Sequence, residues 1–264
     1  MKSWLFTFDF IYYNIYKYRN LRGAIVLKKI SYRNRYYDGA LIFPYDKLSN
    51  LQELQQREYA SIVIKTLING HNIKLSPQKS LIYSMNYIGN TQIVKIDTGL
   101  DNKIFLQFPV PILFPSLQQI CDWNSISQKI FEEDGIYGFY GLKDKSLIEH
   151  LLYIIKNSLV FGEDQYPTLS SKAAHIWYII AKYQAFNNGN KRTALLSALM
   201  FLGFNQFYFD FSFYKNNKKA EEDLYNISSK IAIDQLTEKD VQNFILSHVI
   251  LQFDAMDKIF QSLN

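Results

Sequence analysis

Beyond Leu113 the apolar residues return every third or fourth position, segment after segment. Ser116 to Phe131, Ser146 to Leu159, Ser170 to Tyr183, Asn190 to Leu202, Lys218 to Ala232 and Glu238 to Phe253 all carry this spacing, several behind a Ser or Thr able to cap a first turn. The pattern predicts successive helices. The segment from Asn190 is apolar nearly all round, through Ala194, Leu195, Leu196, Ala198, Leu199, Met200, Phe201 and Leu202, which predicts a central helix enclosed by the others and ended by Gly203. Before Leu113 the pattern changes. Gly23 to Ile30, Gln92 to Ile96 and Ile104 to Phe108 are β-branched or aromatic runs that predict strands, whereas Asp46 to Asn69 spaces Leu48, Leu51, Leu54, Tyr59, Ile62, Val63 and Leu67 at a helical period. Pro109 and Pro111 lack backbone donors and are expected to stop an element there. The chain therefore reads as a smaller α+β domain over residues 1–110 followed by a mostly α domain over 111–264.

Composition narrows the class. A 264-residue chain that is 48% hydrophobic and 20% charged, with 11 Gly and 6 Pro, excludes collagen-like and broadly disordered chains. Its one cysteine, Cys121, cannot close an intramolecular disulfide or build a Cys-based metal site, and His71, His150, His175 and His248 lack the spacing of a zinc motif. The first sixteen residues are greasy, but Asp9 interrupts them, Lys2 alone supplies an early charge and no small-residue cleavage site follows. No apolar run approaches the roughly 18 residues of a membrane span, so the expectation is a cytoplasmic chain without a membrane segment.

The formal net charge of +5 is unevenly placed. Residues 1–110 hold 15 Lys and Arg against 7 Asp and Glu, and the remainder holds 14 against 17. Lys17 to Arg35 contains seven basic residues and no acid, with Tyr18 and Tyr32 inside the run and Tyr36 and Tyr37 after it. Basic residues interleaved with aromatics can hold phosphates and stack bases, or can simply form a solvated positive face. Complementary charge also predicts that the basic part docks on the acidic one, whose clusters are Glu132 to Asp134 and Glu221 to Asp223.

Chemistry concentrates in Gln184-Ala185-Phe186-Asn187-Asn188-Gly189-Asn190-Lys191-Arg192-Thr193-Ala194. Gly189 permits a tight turn, and the first amides of the helix that follows have no intrahelical acceptors. Lys191 and Arg192 add positive charge at the end of the helix where acids are usually preferred, which implies an anion. The competing reading is a polar loop whose basic side chains face water.

This run resembles the active-site motif of the Fic/Doc (Fido) superfamily, His-x-Phe-x-(Asp, Glu or Asn)-(Gly or Ala)-Asn-(Gly or Lys)-Arg, and is most similar to the Doc, death-on-curing branch because of Lys191. Gly135 to Gly138 and Gly141 to Asp144 also resemble the Doc loop that precedes its second helix, and the likeness runs from about Leu113 to Leu251. The resemblance implies a mostly α, Fido-like fold and a transferase that moves a phosphoryl or nucleotidyl group from a nucleoside triphosphate, ATP first among them, to a protein hydroxyl. It implies nucleotide binding by Gly189, Asn190, Lys191 and Arg192, and Mg2+ on the nucleotide phosphates near Asn188. It further implies a toxin, the translation factor EF-Tu as target and an antitoxin encoded next door.

Two positions depart from that family pattern. Gln184 stands where the family has the His that deprotonates the attacking hydroxyl, and Asn188 where an acid commonly helps to hold the metal. Gln can hydrogen-bond a hydroxyl but cannot take its proton, and the loss of a general base costs about 10²- to 10⁴-fold. His175 lies nine residues earlier on the same expected helix and cannot reach Gln184. Two alternatives follow: a silenced Fido domain used for binding, and a nucleic-acid-binding regulator acting through residues 1–110. The inhibitory (Ser or Thr)-x-x-x-Glu-(Gly or Asn) helix of some Fic proteins has its nearest counterpart in Ser49 to Glu53, where Leu54 breaks the match.

Overall fold

The computed structural model describes residues 27–46, 51–88, 91–130, 141–211, 214 and 217–263. A short hairpin, β1 (Ile30–Tyr32) and β2 (Arg35–Tyr37), leads into β3 (Gly39–Tyr45), helix α1 (Gln52–Asn69) and the strands β4 (Ile82–Ile88), β5 (Thr91–Asp97) and β6 (Asn102–Pro111). The second part of the chain continues with α2 (Leu117–Ile130), α3 (Lys145–Lys156), the short strands β7 (Leu159–Val160) and β8 (Glu163–Asp164), α4 (Leu169–Tyr183) and α5 (Asn190–Phe204). It closes with β9 (Phe207–Phe209), α6 (Asn217–Ala232), α7 (Glu238–His248), β10 (Val249–Leu251) and α8 (Phe253–Leu263).

Strands β3 to β6 form one sheet in the order β3-β6-β5-β4, with β3 parallel to β6 and the other pairs antiparallel. Helix α1 supplies the crossover that a parallel pair requires. The prolines expected to stop an element instead lie inside β6. Ile104 directs both its N–H and its carbonyl toward Asp38, on the β3 side, so the donors of residues 109 and 111 would point to the other side. Pairing with β5 has already ended at Gln107, and the missing donors cost no ladder bond.

Edge strand β3 is covered by α8. The Ala40 amide donates to Asp257 Oδ1 at 2.9 Å, and Phe253 of the same helix stacks on Phe105 with ring centroids 5.8 Å apart. One apolar core runs without interruption from the inner face of the sheet (Leu41, Phe43, Val94, Ile96, Phe105) through α1 into α4, α5 and α7. The two parts therefore meet through buried apolar side chains as well as charge. Lys28 lies 3.5 Å from Asp254, and Asp46 lies 3.5 Å from Lys172. Of the acidic clusters expected to dock, Glu132 to Asp134 lies outside the described residues, and Asp223 pairs within its own helix with Lys219.

Most expected helices form close to the periodic segments, though α1 starts at Gln52 rather than Asp46, and α5 is the central, enclosed helix that its all-round apolar pattern predicts, running through Gly203 to Phe204 rather than ending there. Two further expectations are corrected. The last helix does not run from Glu238 to Phe253: it stops at His248, and Val249–Leu251 pairs with Phe207–Phe209. In the first part, Leu51 and Leu54 are exposed while Gln55 is buried on α1, accepting a hydrogen bond from the Asp46 amide at 3.0 Å. Of the expected strand Gly23 to Ile30, only Ile30 is in a strand among the described residues.

Asp257 gives this architecture a pH dependence. Its carboxyl is 3% exposed, and burial raises its pKa above the ordinary 3.8, the Ala40 amide opposing that shift. A carboxyl with a raised folded pKa binds its proton more tightly in the native state, so its contribution to stability declines as pH rises from 3.8 through the folded value. Denaturant unfolding of wild type and Asp257→Asn at several pH values should show the variant gaining on wild type across that rise. A pH-independent difference would remove Asp257 from the account.

Candidate active site

Helices α4 and α5 pack side by side, and the loop between them carries the motif. Gln184 ends α4 in the left-handed region, at φ 52° and ψ 60°, with its side chain exposed at the cleft. Gly189 precedes α5 at φ 75°, where a side chain is disfavoured. Between them Phe186 is buried, 2% exposed, and pins the loop to the core.

Hydrogen bonds hold this loop from three directions. Asn190 bridges it internally, its Oδ1 accepting from the Phe186 amide and its Nδ2 donating to the Phe186 carbonyl, both at 2.8 Å. From the side of Gly141 to Asp144, the Lys143 and Asp144 amides donate to the Ala185 carbonyl at 2.8 and 2.9 Å, and the Asn187 amide donates to the Gly141 carbonyl at 3.0 Å. From α2, Asn124 Nδ2 donates to the Asn188 carbonyl at 2.9 Å and to Thr193 Oγ1 at 2.8 Å, while Thr193 Oγ1 donates to the Gly189 carbonyl at 2.9 Å. Such a network fixes the loop before any ligand arrives.

The result is a cleft of about 250 Å³ lined by Ala181, Gln184, Asn187 to Arg192 and Tyr225. Lys191 Nζ lies 5.1 Å from the centroid of the Tyr225 ring, a cation–π contact that holds the ammonium at the wall, and Arg192 is 7% exposed. The first helical bond of α5 is that of the Thr193 amide to the Gly189 carbonyl at 2.8 Å, so the amides of Asn190 and Lys191 precede the intrahelical ladder. Among the described residues no carboxylate lines the cleft. It is electropositive, with the helix N-terminus adding to the cations.

All the residues singled out from the sequence, Gln184, Asn188, Gly189, Asn190, Lys191 and Arg192, therefore meet in this cleft. The lining fits a polyphosphate. It does not by itself make a metal site: Asn188 Oδ1 accepts from the Gly189 amide at 2.6 Å, and among the described residues no group of three or more His, Cys, Asp and Glu side chains could hold a metal ion. None of the four histidines lines the cleft. His175 is packed against Tyr166 with its Nδ1 3.1 Å from Glu238 Oε2, as its distance along the helix predicts. Gly135 to Gly138 and Ser49 lie outside the described residues, and Glu53 pairs with Arg57 on the exposed side of α1.

Sequence reasoning missed Tyr225 and Asn124. Tyr225 comes from α6, and only packing brings it to Lys191. Asn124 carried a weak signal, a polar residue beside Trp123 on the face of α2 that becomes buried.

A cationic cleft at the N-terminus of the second helix of a helix-loop-helix is chemically suited to an anion. Residues 114–202 match the model of the Fic/DOC family. No curated protein matches the chain. Among the described residues no helix is long and apolar enough to cross a membrane.

Proposed function

We propose that the chain is a Doc-like transferase of reduced activity, moving a phosphoryl or nucleotidyl group from a nucleoside triphosphate to a protein hydroxyl in the cytoplasm. The observation that carries the reading is the convergence of Lys191, the first turn of α5 and Gln184 on one cleft, to which no described residue contributes a carboxylate. In this reading Lys191, Arg192 and the Asn190 and Lys191 amides bind and orient the phosphates, and Gly189 lets the backbone approach them closely. A metal ion, when bound with the nucleotide, would add charge neutralisation, held by the phosphates rather than by this chain.

Gln184 Oε1 accepts a hydrogen bond from the target hydroxyl and aims its oxygen at phosphorus. It takes no proton, so the proton leaves to water or to a phosphate oxygen. The new bond joins the target oxygen to phosphorus, and the bond that breaks releases ADP if the γ-phosphorus is attacked or pyrophosphate if the α-phosphorus is attacked. A loose phosphoryl-transfer transition state depends more on positioning and charge than on a strong base, which favours the first outcome. The resemblance to Doc supplies the first candidates for partners, EF-Tu as acceptor and a neighbouring antitoxin as restraint.

The lack of any histidine or carboxylate among the described residues that line the cleft supports a second reading, a silenced domain that binds nucleotide without transferring from it. ATP labelled at the α- or γ-phosphate, added with purified protein to a lysate or to EF-Tu, separates the readings. The γ-label alone on an acceptor marks a kinase, the α-label a nucleotidyltransferase. No transfer under conditions where nucleotide is bound assigns the silenced domain.

A further inference from the structure

A second concave site lies on the outer face of the sheet, away from the Fic/DOC match. Hairpin β1–β2 turns through Arg33 and Asn34, whose φ angles of 49° and 58° define the two-residue turn that suits the twist of a hairpin. The hairpin folds back on the sheet, where Ile30 and Tyr37 pack with Ala40, Leu106 and Phe260. A pocket of about 180 Å³ remains between hairpin and sheet. Its lining combines Ile93, Leu106 and Thr91 of the sheet with Tyr32, Tyr37, Arg33 and Arg35 of the hairpin.

The chemistry of these walls is specific. Tyr32 is held rigid, its ring edge-on to Phe108 and Phe260 and its hydroxyl 3.3 Å from Thr91 Oγ1. Arg33 places its guanidinium 5.2 Å from the Tyr32 ring centroid. Neither Arg33 nor Arg35 forms an ion pair with a described residue, in contrast to Arg57, Lys145 and Lys172, which all do. Two cations without counter-charge among the described residues, beside aromatic walls and an apolar floor, fit a ligand that is flat and apolar at one end and anionic at the other. The volume is below the roughly 300–1,000 Å³ of pockets that enclose a whole small molecule, so the site takes one planar group of a longer ligand.

We infer that this pocket receives one base of a single-stranded polynucleotide, with Tyr32 as the stacking wall and Arg33 and Arg35 on the flanking phosphates. In the sequence, the basic run from Lys17 to Arg35 ends at this hairpin. The site is independent of the transferase cleft, since no residue lines both.

The test is fluorescence anisotropy of the full chain with a labelled oligothymidylate of about twelve nucleotides and with the same backbone lacking bases. Wild type should bind the thymidylate at least about tenfold more tightly than the abasic strand. Arg33→Asn combined with Arg35→Thr keeps residues suited to the turn and the strand. It should weaken binding about tenfold or more and make the slope of log affinity against log salt shallower by about 1.4, the contribution of two single-strand phosphate contacts. Tyr32→Leu should remove the preference for bases, whereas Tyr32→Phe should keep it. Lys156→Ala with Lys230→Ala matches the charge change elsewhere and should leave affinity within about twofold. Absence of binding, equal binding of the abasic strand, an equal loss in the charge-matched control, or capture of a phosphopeptide in place of the oligonucleotide would each overturn the inference.

Discussion

Replacing Gln184 by His and Asn188 by Asp together is expected to raise the transfer rate about 10²- to 10⁴-fold, the usual contribution of a general base. The backbone at position 184 is ready for the exchange. At φ 52° and ψ 60° it occupies the left-handed region, in which His is enriched among residues with a side chain. The exposed side chain at the cleft would put an imidazole where a hydroxyl must give up its proton, with a pKa suited to neutral pH. Aspartate at 188 keeps the oxygen that accepts from the Gly189 amide and adds the charge a metal ion needs. Initial rates with labelled nucleotide, for the single and double variants, measure the gain. A double variant that folds and binds nucleotide but transfers nothing would leave only the silenced reading.

Lys172→Ala is expected to cost about 3–5 kcal/mol of folding stability, the range for breaking a buried charge pair on one side. Lys172 is fully buried on α4, and burial lowers its pKa while Asp46 and Asp164 oppose that shift. Its ammonium donates to the Ile155 carbonyl at 2.8 Å and to Ser158 Oγ at 2.9 Å, at the C-terminal end of α3, where a cation is favoured by the helix dipole. Two residues earlier on α4, the Ser170 amide donates to Glu58 of α1 at 3.1 Å. Residues of the first part of the chain thus clamp the helix that ends in Gln184. Urea unfolding measures the loss, and Lys172→Met, which refills the volume, should recover part of it only if Asp46 is also neutralised to Asn. A Lys172→Ala protein as stable as wild type would show that this buried charge is dispensable.

The motif that lines the cleft was readable because its parts are consecutive. A glycine, a helix start and two cations within four residues need no knowledge of packing, and all of them line the cleft. Tyr225 and Asn124 were not readable, because their partners, Lys191 and Thr193, are set by how α6 and α2 pack on α5. Strand β3 escaped because both its faces are buried, which removes the alternation that marks a half-exposed strand, and because Pro44 reads as a breaker. An edge position tolerates that proline. The extra length given to the last helix has the opposite cause: Val249, Ile250 and Leu251 continue the apolar spacing, and only pairing with β9 decides that they are a strand.

Titration calorimetry of ATP into the purified chain at low and raised salt, with Lys191→Ala alongside, tests the polyphosphate cleft most directly. Binding should be detectable, weaken as salt rises and fall about tenfold in the variant, since an exposed charge contact is screened and Lys191 supplies one of the cleft's cations. Wild-type protein that binds no nucleotide, or a Lys191→Ala variant that binds as tightly as wild type, would contradict it.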